Sequence, residues 1–192
     1  MQREQPVVIN AAAPPAGAAE LVVDAEHHER VIRRGVLAAR ASVAIATADF
    51  KAMLVPGPGG DAPSIVEHLL RLAGRGVEVR LLHAGIPSAA ARRALGRELP
   101  ANLTIRRCPR LHAKAVIVDA AAMYLGSANL TGAGLGAKAA HRRNIEWGIW
   151  TRSPELIDGV LQQFNALWEA ERCRGCGRRD VCPVPLEEPA AR

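Results

Sequence analysis

His112, Lys114 and Asp119 stand in the run Leu111-His112-Ala113-Lys114-Ala115-Val116-Ile117-Val118-Asp119, an H-x-K-x4-D pattern. Gly126-Ser127-Ala128-Asn129 follows as G-S-x-N. Together they bring an imidazole, an ammonium, a hydroxyl and an amide into one short segment. An imidazole exchanges protons near neutral pH and can attack phosphorus or protonate a leaving oxygen. Lys114 can neutralise phosphoryl oxygens, and Ser127 and Asn129 can donate hydrogen bonds to them. Such preorganised charge is the main source of rate in much phosphoryl chemistry. The groups suffice to open a phosphodiester without a metal ion.

Local structure must gather these groups. Ala113 to Val118 is short, apolar and β-branched, which predicts a strand. Strand alternation puts His112 and Lys114 on one face. Asp119 to Ala122 reads as a turn, although it lacks glycine, and Met123 to Gly126 as the returning strand. A hairpin over 113–126 would carry all four side chains to one end of a sheet.

With these residues in place, the segment resembles the HKD signature of the phospholipase D superfamily. Gly126-Ser127-Ala128-Asn129-Leu130-Thr131-Gly132 and the later Asn144-Ile145-Glu146-Trp147-Gly148 are similar to that family too. The likeness spans about residues 20–170, and its specific part lies in 111–148. It implies an α/β/α sandwich with a mixed central sheet. It also implies that a motif histidine attacks phosphorus to give a phosphohistidine, a second histidine protonates the leaving oxygen, and water releases the product without a metal. Carried over by position, His112 is the nucleophile or the acid, and Lys114, Ser127 and Asn129 hold the phosphate. Asp119 fixes the turn. Glu146, placed by its N-x-E context, orients the histidine through the other ring nitrogen. The chain has one such motif, whereas the reaction needs two imidazoles. Single-motif members pair two chains about a two-fold axis, so a homodimer sharing one active site is expected.

The 192 residues suffice for one compact domain but not for a two-motif, two-lobed architecture. No run of 18 apolar residues occurs, and the N-terminus lacks a secretory pattern, so a cytoplasmic protein is expected. The net charge of +6 and pI near 9.8 suit a polyanionic partner. Arg106, Arg107 and Arg110 run into His112, and Arg142 and Arg143 precede Asn144, so all five are expected to steer phosphate. Few aromatics argue against an extended base-stacking platform.

Residues 1–18 are rich in Ala and Pro and are expected to be flexible. A strand is expected over 20–24, a helix over 26–40 with His27 and His28 exposed at its start, and a strand over 42–47. A Pro/Gly-rich loop over 51–61 precedes a helix over 62–73. A strand over 77–82 ends at His83, read as a structural histidine. A helix over 87–97, a strand over 103–105, the hairpin, a strand over 143–151 and a helix over 154–170 complete the catalytic domain, 19–170. This alternation gives an α/β fold.

The tail 171–192 carries Cys173, Cys176 and Cys182 as C-x2-C-x5-C, and Cys108 is the fourth cysteine. Four cysteines can close one thiolate site for zinc or an iron–sulfur cluster; a disulfide is disfavoured in a cytosolic chain. The spacing with a distant upstream cysteine resembles the 4Fe–4S staple of certain bacterial helicase–nucleases and CRISPR-associated nucleases, whose fold is different. Either centre would be structural, pinning the tail beside the strand that enters the active site.

The function these readings favour is a metal-independent phosphodiesterase, a nuclease acting on DNA or RNA. A helicase or other repair or defence partner enters by analogy alone. The alternatives are a phospholipase D-type hydrolase acting on lipid head groups, or a DNA-binding module without turnover.

Overall fold

The computed structural model describes residues 19–57, 60–96, 98–178 and 182. The expected N-terminal segment 1–18 lies outside the described residues. Seven strands form one sheet: β1 (Ala19–Val23), β2 (Ser42–Thr47), β3 (Glu78–His83), β4 (Leu103–Arg107), β5 (Ala115–Val118), β6 (Ala122–Gly126) and β7 (Trp147–Thr151). Their order is β1-β7-β6-β5-β2-β3-β4. β2, β3 and β4 run parallel, and every other neighbouring pair is antiparallel. The sheet is therefore mixed. Helices cover both of its faces, which makes the α/β/α sandwich expected from the sequence.

Alternation along the strands assigns the two cores. Val43, Ile45, Val79, Leu81, Ile105 and Val116 point to one face, under α1 (Ile65–Gly74) and α2 (Ala89–Leu95). Ala44, Ala46, Leu82, Ile117 and Met123 point to the other, under α3 (Pro154–Trp168). α1 starts at a complete capping box, in which Ser64 and Glu67 satisfy each other's backbone N–H. Its buried stripe of Ile65, Leu69 and Leu72 contributes about 1.5–3 kcal/mol per side chain. α3 opens with Ser153 as N-cap and Pro154 in its first turn. It is clamped to the sheet by Arg80 and Arg106, whose guanidinium groups lie 5.2 Å from the Phe164 ring and 4.8 Å from the Trp168 ring.

The helix expected over 26–40 is broken. A π-helical turn, His28–Arg33, gives way at Gly35 to a 3-10 turn, Val36–Ala38. A Cβ on Gly35 would lie 2.4 Å from the Val31 carbonyl oxygen and 3.0 Å from Trp150, so the backbone at the break, above all the Val31 carbonyl, leaves room only for glycine. His27, expected exposed, is fully buried. Its Nδ1 lies 2.9 Å from the Asp24 carbonyl oxygen and its Nε2 lies 3.0 Å from the Tyr124 hydroxyl. His83 is buried with Nδ1 2.8 Å from the Gly85 carbonyl oxygen, whereas its Nε2 is buried without a hydrogen-bond partner among the described residues, so the satisfied structural histidine expected there is only half realised.

Asp119 fixes the turn between β5 and β6. Asp119 and Ala120 both take positive φ, 52° and 49°. Aspartate tolerates that region, whereas alanine is strained there. The Asp119 carboxylate accepts backbone N–H bonds from Arg40 (3.0 Å), Ala41 (2.7 Å) and Ser42 (2.9 Å), tying the hairpin to the start of β2. Burial alone would raise its pKa, but the N–H bonds from Ser42, Ala41 and Arg40 outweigh burial and hold it below the ordinary aspartate value. The folded state therefore binds this proton less readily than the unfolded chain. The stabilisation is complete above the unfolded value and is lost as pH falls through the folded one. Asp119→Ala should cost roughly 2 kcal/mol at neutral pH, since three N–H groups lose a charged acceptor. Urea denaturation of both proteins should show that difference shrinking as the pH drops below the ordinary aspartate range; a gap that stays constant contradicts this account.

Candidate active site

The antiparallel pairing of β2 with β5, β5 with β6, and β6 with β7 puts the carboxyl ends of β2 and β6 beside the amino ends of β5 and β7. Thr47, Lys114, Ser127 and Glu146 are therefore gathered at one end of the sheet although they are far apart in sequence. His112 and Lys114 lie just before β5, which begins at Ala115 rather than at the expected Ala113. Gly126 N–H donates to the Lys114 carbonyl (3.1 Å) and Ser127 N–H to the Trp147 carbonyl (2.9 Å), so the ladder continues past the named strands into the site.

His112 is exposed and Lys114 is buried. Lys114 Nζ donates to the His112 carbonyl oxygen at 2.8 Å and lies 3.2 Å from each ring nitrogen. Burial lowers the Lys114 pKa, and the Glu146 carboxylate raises it part of the way back. Asn129 is oriented by its oxygen. That atom accepts from Ala48 N–H (3.1 Å), Asp49 N–H (3.1 Å) and the Thr47 hydroxyl (3.3 Å), which fixes the orientation of the amide at this end of the sheet. Thr47 also accepts from Leu130 N–H (2.9 Å), so a residue not singled out in the sequence holds the G-S-x-N loop from beneath.

Glu146 is buried at the amino end of β7. The expected bond to the His112 ring is not made within the chain. One Glu146 oxygen accepts the Ser127 hydroxyl, and the other accepts Asn144 Nδ2 at 2.9 Å. Ser127 consequently directs its proton to Glu146 rather than outward. The Glu146 N–H is itself fixed by the Asp24 carboxylate at 3.2 Å. This divides the expected set: Lys114 is buried against His112, Asn129 is held by residues 47–49, and the exposed Ser127 is linked through the buried Glu146 to the exposed Asn144.

Tyr124 supports the loop from the core, a role that nothing in the sequence marks beyond an aromatic in a strand. Its hydroxyl accepts Ala128 N–H at 3.1 Å and meets His27 Nε2. Burial pushes the phenol up to about 12, so it stays protonated. The ring needs room on two sides. A Cβ on Gly126 would lie 2.4 Å from the Tyr124 oxygen, and one on Gly148 2.2 Å from the ring. The glycines of G-S-x-N and of N-I-E-W-G are thus explained by one buried tyrosine.

The five arginines separate. Arg110 and Arg142 are exposed. Arg106, expected at the substrate, instead donates to the Trp168 carbonyl and covers the Trp168 ring, because strand alternation turns it under α3. Arg107 donates to the Ala84 carbonyl at 3.0 Å, and Arg143 to the Lys138 carbonyl at 2.5 Å. The four cysteines all border one cavity beside His112.

The family model of the cardiolipin synthase PLD-like domain matches residues 33–168. The chain belongs to this PLD-like family. Its fold is shared with several solved structures. Nuc from Salmonella typhimurium, a phospholipase D family member, is 22% identical with a TM-score of 0.58, covering 80% of this chain and 95% of that one. NucT from Helicobacter pylori is 18% identical with a TM-score of 0.60, covering 80% and 96%. TrmBL2, an archaeal chromatin protein described as binding DNA by a novel mode, is 14% identical with a TM-score of 0.52, covering 84% of this chain and 55% of that one. No curated protein matches the chain. No helix of this PLD-like chain is long and apolar enough, among the described residues, to cross a membrane.

Proposed function

We propose that this PLD-like protein is a metal-independent nuclease that opens nucleic-acid phosphodiesters through a phosphohistidine formed on His112. The observation that carries this reading is the placement of an exposed imidazole against the Lys114 ammonium, with the NH2 of Asn129 at the same sheet end. A His112 ring nitrogen attacks phosphorus, a P–N bond forms, and the P–O bond to the leaving group breaks. His112 of the partner subunit gives its proton to the leaving oxygen. That same partner imidazole then takes a proton from water, which attacks phosphorus and breaks the P–N bond, so both histidines return to their starting forms. Lys114 and Asn129 hold the non-bridging oxygens as charge builds on them.

A shared site needs a face on which two copies can meet. α3 covers only part of its face of the sheet. Leu21 (67% exposed), Trp147 (66%) and Leu125 (36%) remain open on β1, β7 and β6, and Ile145 (81%) continues the patch toward Glu146. Apolar exposure of this kind marks interaction surfaces, and this one runs up to the catalytic end. A polymer substrate is favoured by the net charge of +6 and by the exposed Arg110 and Arg142, which flank the motif residues in sequence. The DNA-binding relative TrmBL2 supports the same choice. The family description, which names cardiolipin synthase, keeps a phospholipid head group as the second reading.

Plasmid, single-stranded DNA, RNA and phosphatidylcholine, each incubated in EDTA, separate these readings. Cleavage of one or more nucleic acids with no choline release is the expected outcome. Release of choline alone would replace the nuclease by a lipase. Retention of DNA without cleavage would leave only a binding module.

A further inference from the structure

Cys173 and Cys176 are wound into one turn at the end of α3. Cys173 N–H donates to the Ala170 carbonyl at 2.9 Å, and Cys176 N–H to the Cys173 carbonyl at 3.2 Å. Cys108 lies far away in sequence, at the end of β4. Its N–H donates to the His83 carbonyl at 2.8 Å, and its own carbonyl accepts Leu111 N–H at 2.9 Å, which shapes the turn that delivers His112. The fold brings these segments together. Cys108, Cys173, Cys176 and Cys182 all line one cavity of about 480 Å³, and Arg178 of the tail donates to the Pro109 carbonyl at 3.4 Å across it.

We propose that Cys108, Cys173, Cys176 and Cys182 together hold an iron–sulfur cluster beside His112. Three observations carry this. Every cysteine of the chain reaches the same cavity, although 65 positions separate Cys108 from Cys173. Arg110, Arg172 and Arg178 also line it and, among the described residues, no carboxylate does, so the walls offset the negative charge that metal-bound thiolates carry. Finally, the cysteines border a space rather than a point. Among the described residues no group of three or more His, Cys, Asp or Glu is already gathered to hold a metal ion, so the four thiols must close in on whatever centre they bind, and the cavity of about 480 Å³ gives room for one larger than a single ion. A cuboidal cluster, itself wide and bound by one thiolate at each corner, suits ligands set on separate walls. The centre is structural. It ties the chain after α3 to the turn preceding the catalytic histidine, and it stands whether or not the substrate proves to be nucleic acid.

The full chain, expressed with iron and purified without oxygen, provides the test. Iron, acid-labile sulfide and zinc are measured per chain alongside the visible spectrum. The expected result is a brown protein with about four iron and four sulfide per chain, as for a 4Fe–4S cluster held by four thiolates. Cys108→Ser and Cys176→Ser should each lose most of that iron. Should either fail to fold, Cys182→Ser and the metal content of the unaltered protein decide the matter. A colourless protein with one zinc per chain overturns the proposal, as does one with neither metal and four titratable thiols. Iron retained in full by Cys108→Ser would also overturn it, since the centre would then not join the tail to the active-site turn.

Discussion

His112→Ala should abolish cleavage in EDTA, lowering kcat by at least about 10⁴-fold, with the fold intact. The magnitude follows from the two tasks assigned to the imidazole. It forms the covalent bond to phosphorus in one chain and protonates the leaving oxygen in the other, and residues that act as a unit lose nearly all of the rate together. His112 is exposed and its ring carries no core packing, so circular dichroism and thermal unfolding should be unchanged. DNA binding should persist, since Arg110, Arg142 and Lys114 remain. Cleavage at an undiminished rate would place the chemistry elsewhere.

Lys114→Met should lower kcat by about 10²–10³-fold, the usual cost of removing one preorganised donor from the transition state. Methionine keeps most of the aliphatic stem, so the change removes the ammonium together with its hydrogen bond to the His112 carbonyl. The ammonium lies 3.2 Å from both His112 ring nitrogens and feels the Glu146 carboxylate. Its loss leaves the buried Glu146 without that compensating charge, which adds a stability cost of about 1–3 kcal/mol. Lys114→Arg should not rescue the rate, because a planar fork does not fit a site that encloses a point charge. A kcat loss below tenfold, measured under single-turnover conditions, would remove Lys114 from the phosphate site.

The patterns that are local in the chain are legible before folding. β2 and the hairpin can be read from their apolar, β-branched runs, and α1 from its apolar stripe, with the Ser64–Glu67 box as a further local mark. The motif also brings His112, Lys114 and Asn129 to one sheet end. What fails depends on partners distant in sequence. His27 reads as exposed at a helix start, yet Tyr124, 97 positions away, draws it into the core. The helix over 26–40 has the right spacing, but it breaks at Gly35, where a side chain would meet the Val31 carbonyl and the distant Trp150. Arg106 belongs to a basic run, but its strand face turns it onto Trp168. Glu146 is marked by its neighbours in sequence, while its hydrogen bond from Ser127 comes from the meeting of β6 and β7. In each instance sequence spacing identifies the residue and tertiary register decides its partner.

The shared active site is tested most directly by a heterodimer of one unaltered chain and one His112→Ala chain, co-expressed with different tags and isolated through both. If one imidazole attacks while His112 of the partner subunit protonates the leaving oxygen, this heterodimer should cut plasmid in EDTA no faster than the doubly substituted protein. Retention of about half the activity of the unaltered protein, as expected of two independent sites in a symmetric pair, would contradict the account.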